Sequence, residues 1–141
     1  MNRLMTGITS TCAILLGAAV STAGVLEIKI DGITKDKGTV RVALFASEAD
    51  FKADQPVAQQ KAPAKKGGVT IRLEDVTPGR YCIASFQDLN NNEEIDTNFV
   101  GVPKEPYGFS RNARGRFGPP DFKDMAFDVG EETQKLEIRL E

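Results

Sequence analysis

After residue 23 the chain repeatedly alternates apolar and polar positions with a period of two. That period sends successive side chains to opposite faces of an extended strand. Leu26, Ile28 and Ile30 alternate with Glu27 and Lys29, which predicts a half-buried strand over 25–30. Asp31-Gly32 and Lys35-Asp36-Lys37-Gly38 predict the turn after it. A second strand is expected over 39–46, with Val40, Val42 and Leu44 on one face. Its other face carries Arg41, Ala43 and Phe45, so it is expected to be covered on both sides. Val69, Ile71 and Leu73 alternate with Thr70, Arg72 and Glu74 in a third strand. Over 80–87 both faces are apolar, Tyr81 and Ile83 against Cys82, Ala84 and Phe86, as in a central strand. Met125, Phe127 and Val129 mark a short strand, and Leu136, Ile138 and Leu140 mark the last one.

Between these runs the signals are those of turns. Thr77-Pro78-Gly79-Arg80 has Pro and Gly at the two central positions, the pattern of a type II turn. Residues 47–68 read as a surface excursion. Ser47 is placed to cap a short helical turn, and Phe51 to anchor it; no periodicity follows. No apolar pattern of period 3.6 and useful length follows residue 23. The expected fold is all-β: an antiparallel immunoglobulin-like or prealbumin-like sandwich of about seven strands, with one long irregular loop at 88–122.

The first 23 residues stand apart. Arg3 is their only charge, an apolar run from Leu4 to Val20 follows, and Ser21-Thr22-Ala23 supplies small residues at a cleavage point. This predicts a secretory signal over 1–23, a single domain over 24–141, and a periplasmic or secreted location. Thr6, Gly7, Thr9, Ser10 and Thr11 dilute the run, so no stable membrane span is expected after cleavage.

Composition narrows the function classes. Removing 23 of the 141 residues leaves 118, with 17 basic and 20 acidic side chains and a net charge of −3. That balance argues against a nucleic-acid partner and gives no basic membrane footprint. Cys82 is the one cysteine outside the leader, so the domain has no internal disulfide. There is no histidine, which removes His-based triads and His-metal sites.

The candidate chemistry lies in 88–122. Asp88, Asn90, Asn92, Glu94 and Asp96 fall at alternate positions, the spacing with which oxygen donors wrap a hard cation, and Ca2+ is the candidate ion. Glu93 stands where such a loop wants Gly, with Asn91 or Asn92 able to turn left-handed instead. Phe99 replaces the closing acid, which excludes an EF-hand. The alternative is a polar turn whose Asp and Asn side chains cap their own backbone. Val100 to Phe122 then has Pro and Gly corners around Tyr107, Phe109 and Phe117 and around Arg111, Arg114 and Arg116. Arginine forks chelate carboxylate or phosphate, and aromatic planes stack on a sugar, so these six residues form the candidate ligand or partner surface. Self-packing is the other reading, with Glu105, Asp121 and Asp124 neutralising the arginines.

The run from Asp88 to Phe122, above all Pro103-Lys-Glu-Pro-Tyr-Gly-Phe-Ser110 and Gly115 to Pro120, resembles a small exported bacterial family catalogued as domain of unknown function 2141. The resemblance covers essentially the whole of 24–141 and implies an exported β-sandwich with no established activity. Two positions depart from the family pattern. Gln87 stands where a His often precedes the Asp, which removes a possible ligand or base, and Glu93 stands where Gly usually follows Asn-x-Asn.

The leading expectation is a non-enzymatic binding or structural module for a protein or a small anionic or saccharide ligand, with the 88–98 loop bracing the Arg- and aromatic-rich loop. The alternatives are an envelope assembly protein whose long loop is purely structural, and a small hydrolase using Asp88, Asp96 and Glu105.

Overall fold

The computed structural model describes residues 23–141. The expected leader therefore lies, Ala23 apart, outside the described residues. Among the described residues eight strands form two packed sheets. The chain runs β1 (Gly24–Asp31), β2 (Thr39–Phe45), α1 (Glu48–Lys52), β3 (Ala58–Pro63), β4 (Val69–Val76) and β5 (Gly79–Asp88). It continues through β6 (Tyr107–Phe109), a 3-10 turn (Ser110–Asn112), α2 (Phe122–Met125), β7 (Phe127–Val129) and β8 (Thr133–Arg139). One sheet has the order β4-β1-β8; the other has the order β3-β2-β5-β6, with β7 also pairing to β5.

The alternation places the expected residues in the core. Leu26, Ile28 and Ile30 are fully buried, as are Val40, Ile83 and Ile138, and they pack between the sheets with Val42, Leu44, Ile71 and Leu73. The second face of β2 and β5 is covered as well, in part. Phe45 and Cys82 form a smaller cluster with Met125, closed by Phe51, Phe109 and Phe122. Phe51 anchors α1 there, its ring edge-on to Phe45 at 5.3 Å, and Ser47 Oγ caps the helix by accepting from Asp50 N–H. Burial pushes the Cys82 thiol up to about 12, so it is an inert core group rather than a nucleophile.

Five sequence expectations change. The sandwich is not antiparallel throughout: β1 and β8 pair in parallel, so the first and last strands lie side by side. The excursion at 47–68 contains a strand, β3, antiparallel to β2 from Thr39–Pro63 to Leu44–Ala58. The long loop also contains one, β6, which pairs Tyr107 with Phe86 and Phe109 with Ala84. Met125 does not share the face of Phe127 and Val129; it ends α2 and turns into the second cluster. Finally, Gly79 is not among the positive-φ glycines, so the turn before β5 is not type II; Asp75 takes the left-handed conformation instead, at φ 56°. The corner is fixed by Tyr81, whose hydroxyl donates to the Thr77 carbonyl at 2.5 Å, the contact that characterises a tyrosine corner.

Candidate functional site

β5 delivers Asp88 to the end of the sheet on the outer face, the face that also carries Ala84 and Phe86. Its carboxylate is fully buried. Oδ2 accepts from Arg41 Nε and from Glu93 N–H, both at 2.8 Å, and Oδ1 accepts from Asn92 N–H at 3.2 Å. Burial would raise its pKa, but the Arg41 guanidinium and the two backbone N–H groups outweigh it and hold the carboxyl below its ordinary value. Closing this turn puts Asn91 and Glu93 in the left-handed region, at φ 53° and 69°. Glu93 thus adopts the conformation for which glycine is the usual residue.

The other expected cation donors face one another. Asp96 Oδ2 accepts from Asn90 Nδ2 at 2.6 Å and Oδ1 accepts from Asn92 Nδ2 at 2.7 Å. Asn92 Oδ1 accepts from Glu94 N–H, and the Glu94 side chain is exposed. Asp88 and Asp96 therefore serve different partners. Among the described residues no three His, Cys, Asp or Glu side chains gather as a metal site. Asp88 is committed to the Arg41 guanidinium and Asp96 to the Asn90 and Asn92 amides, so the five expected donors serve separate partners and do not converge on one point. The Asp and Asn side chains act as the capping groups of a polar turn.

A second buried carboxylate completes the brace. Glu105 is 5% exposed and accepts from Leu89 N–H at 2.6 Å and from Asp96 N–H at 2.8 Å. Asp88 and Glu105 pin the 88–105 segment from both ends. The self-packing alternative pairs Glu105 with the loop arginines; among the described residues its carboxylate is taken by the two backbone N–H groups instead.

The braced segment and the 115–119 turn stand over the outer face of the five-stranded sheet and rim an open trough of about 1560 Å³. Registered rows of side chains make its floor. Lys61, Arg41, Phe86 and Tyr107 lie side by side across β3, β2, β5 and β6, and Gln59, Ala43, Ala84 and Phe109 form the next row. Arg41 is tied to Asp88 through Nε, its side chain keeps 20% of its exposure, and its forked end lies in the trough lining with Nη2 3.9 Å from Glu93 Oε1. Ile95, Val100, Val102 and Phe117 add exposed apolar groups at the rim.

The six expected surface residues divide. Tyr107, Phe109, Arg116 and Phe117 line the trough, with Tyr107 and Phe109 edge-to-face at 5.8 Å. Arg111 and Arg114 do not converge with them. Arg111 has a φ of 60° and reaches the Ala126 carbonyl at 3.5 Å, and Arg114 pairs with Glu141 at 2.9 Å. The floor residues Arg41, Lys61 and Phe86 were not expected at a site. The available signal was an arginine on the non-core face of an otherwise apolar strand.

The family described as an uncharacterized protein conserved in bacteria, DUF2141, matches residues 28–137, which include every strand that builds the trough. The chain belongs to the DUF2141 family. No curated protein and no solved structure matches it. In this DUF2141 chain the two departures from the family pattern can be placed. Gln87 points to the face opposite Asp88, where Nε2 donates to the Lys35 and Lys37 carbonyls at 3.0 and 2.8 Å. A side chain at 87 is thus a tie to the β1–β2 connection, not a ligand beside Asp88. Glu93 keeps the glycine-like turn and still donates its N–H to Asp88.

Proposed function

We propose that this protein is an exported, non-enzymatic binding module and that the trough takes a small anionic saccharide. The observation that carries the reading is the registered row Lys61–Arg41–Phe86–Tyr107. Two cations and two aromatic planes on adjacent strands offer a carboxylate partner beside a stacking platform. A strand floor holds such groups more rigidly than a loop does. The braced 88–105 segment walls the floor, and Asp88 fixes the Arg41 stem so that less freedom is lost on binding. The apolar leader supports export.

The test is calorimetric titration with a uronic-acid oligosaccharide and with its neutral counterpart. The acidic sugar binds, the neutral one binds at least tenfold more weakly, and Phe86→Ala and Tyr107→Ala each remove most of the heat. Absence of heat with the acidic sugar at millimolar concentration overturns the ligand class. Turnover of any member of an ester and glycoside panel overturns the non-enzymatic reading. The mass of protein recovered from the periplasm checks export, with Gly24 as the expected first residue.

A further inference from the structure

Phe99 and Phe117 are the most exposed large apolar side chains, at 101% and 102% of full exposure, and Val100 and Val102 share the tip with Phe99. That tip is built, not frayed. Asn98 Oδ1 accepts from the Val100 and Val102 N–H groups at 3.0 Å each, Asn98 N–H donates to the Val102 carbonyl at 2.8 Å, and Thr97 bridges to Pro103. A hydrogen-bonded turn that holds its apolar groups outward marks a contact surface.

The matching hollow is on the same face. Ala43 and Ala84 lie opposite one another in register at the floor of the trough, with Phe86 and Phe109 beside them. The two alanines are half-buried, packed on one side against the Phe45, Phe51 and Phe109 rings and open to the trough on the other. Phe117, Val100 and Val102 line this trough, so exposed apolar groups and hollow share one patch that can complement itself across a two-fold axis.

Charge selects the partner. Arg41, Lys61 and Arg116 line the trough, and so do Asp54, Glu93 and Glu94. An anionic bilayer or a nucleic acid would meet the three acids, and a basic partner would meet the three cations. Arg41 is already matched by Asp88 and Glu93, but Lys61, Arg116, Asp54 and Glu94 carry no ion pair among the described residues, and a second copy can set its Asp54 and Glu94 against this Lys61 and Arg116. We infer that two copies pair through this face, the Phe117 of each entering the other's trough with the Phe99 tip beside it. The two open troughs then become one enclosed chamber. This rests on the trough being a recognition surface, and it gives that surface its cover.

The test is sedimentation velocity over a concentration series, on exported protein whose N-terminus has been verified by mass so that the apolar leader plays no part. A concentration-dependent dimer is expected. Phe99→Ser and Phe117→Ser each raise its dissociation constant roughly tenfold, and the pair roughly a hundredfold. Arg116→Glu weakens the dimer by unbalancing the face, and salt restores part of it. Both phenylalanines are fully exposed, so at concentrations where the parent is monomeric the variants melt as it does, which keeps the result interpretable; where the parent is dimeric they melt lower. A protein that stays monomeric throughout overturns the inference, as does a double variant that dimerises like the parent. A monomer that sediments with phosphatidylglycerol vesicles, and loses this in the double variant, assigns the tips to a lipid surface instead. The saccharide titration is read at Tyr107, which lies outside the alanine hollow, so its failure is separable from failure of the dimer.

Discussion

The Asp88–Arg41 brace sets a stability that can be measured. Consider Asp88→Asn. The carboxylate accepts three hydrogen bonds, from Arg41 Nε, Glu93 N–H and Asn92 N–H, and it is fully buried. A carboxamide in its place turns one acceptor into a donor aimed at donors and leaves Arg41 without its counter-charge. Breaking a buried ion pair on one side costs about 3–5 kcal/mol. The Arg41 side chain keeps 20% of its exposure and can turn to water or toward Glu93, 3.9 Å away, so the low end applies, about 3 kcal/mol. At this chain length that corresponds to a fall in Tm of roughly 10–15 °C. The pH dependence adds a second, independent signature. The folded pKa of Asp88 lies below its ordinary value of 3.8, so the unfolded chain binds the proton first as pH falls. The stabilisation is complete above the unfolded value and is lost as pH drops through the folded one. Urea denaturation at a series of pH values from 7 down to the acid limb should show the parent losing this contribution and the variant lacking it. A variant within about 0.5 kcal/mol of the parent at pH 7 would refute the brace, since that is the range of a surface substitution. So would an unchanged acid slope.

Three further outcomes follow from the same geometry. Glu105→Gln leaves either Leu89 N–H or Asp96 N–H without an acceptor, at about 1–3 kcal/mol, and amide exchange in 89–96 should quicken well before global unfolding. Gly108→Ala drives a Cβ into the Arg139 carbonyl and against Ile138 Cγ2, which should cost about 1–3 kcal/mol by overpacking and show as a lower urea midpoint. Addition of calcium or of a chelator should leave Tm unchanged, because Asp88 and Asp96 face separate partners; a rise of several degrees with calcium would mean that Asn90 and Asn92 turn their oxygens to a cation.

How much of this could be read from the residues depended on what buried them. Strands whose inner face is Leu, Ile and Val announce themselves, and β1, β2, β4, β5 and β8 lie where alternation puts them. β3 has the same period, but its half-buried positions are Ala58 and Ala62, and its exposed face carries Gln59 and Lys61. Two alanines give too little contrast against polar neighbours, and Lys and Pro are the residues that blunt an edge strand. Strand direction is also silent in the pattern. Alternation is the same for parallel and antiparallel neighbours, so the β1–β8 pairing could not be seen in it.

The candidate site was half legible for a related reason. Composition pointed to 88–122 as the unusual segment, and Tyr107, Phe109, Arg116 and Phe117 do reach the trough. The rest of that surface comes from a different place: Arg41 from β2, Lys61 from β3 and Phe86 from β5, brought into one row only by cross-strand register. A loop motif is contiguous in sequence, whereas a sheet face is assembled from every second residue of separate strands. The carboxylates show the same limit. Asp88 and Glu105 have the composition of a metal or catalytic pair, yet each is occupied by backbone N–H groups of the very segment that contains it. A buried acid that satisfies its own loop and one that awaits a cation have the same letters. What separates them is whether donors already point at the oxygens, and here they do.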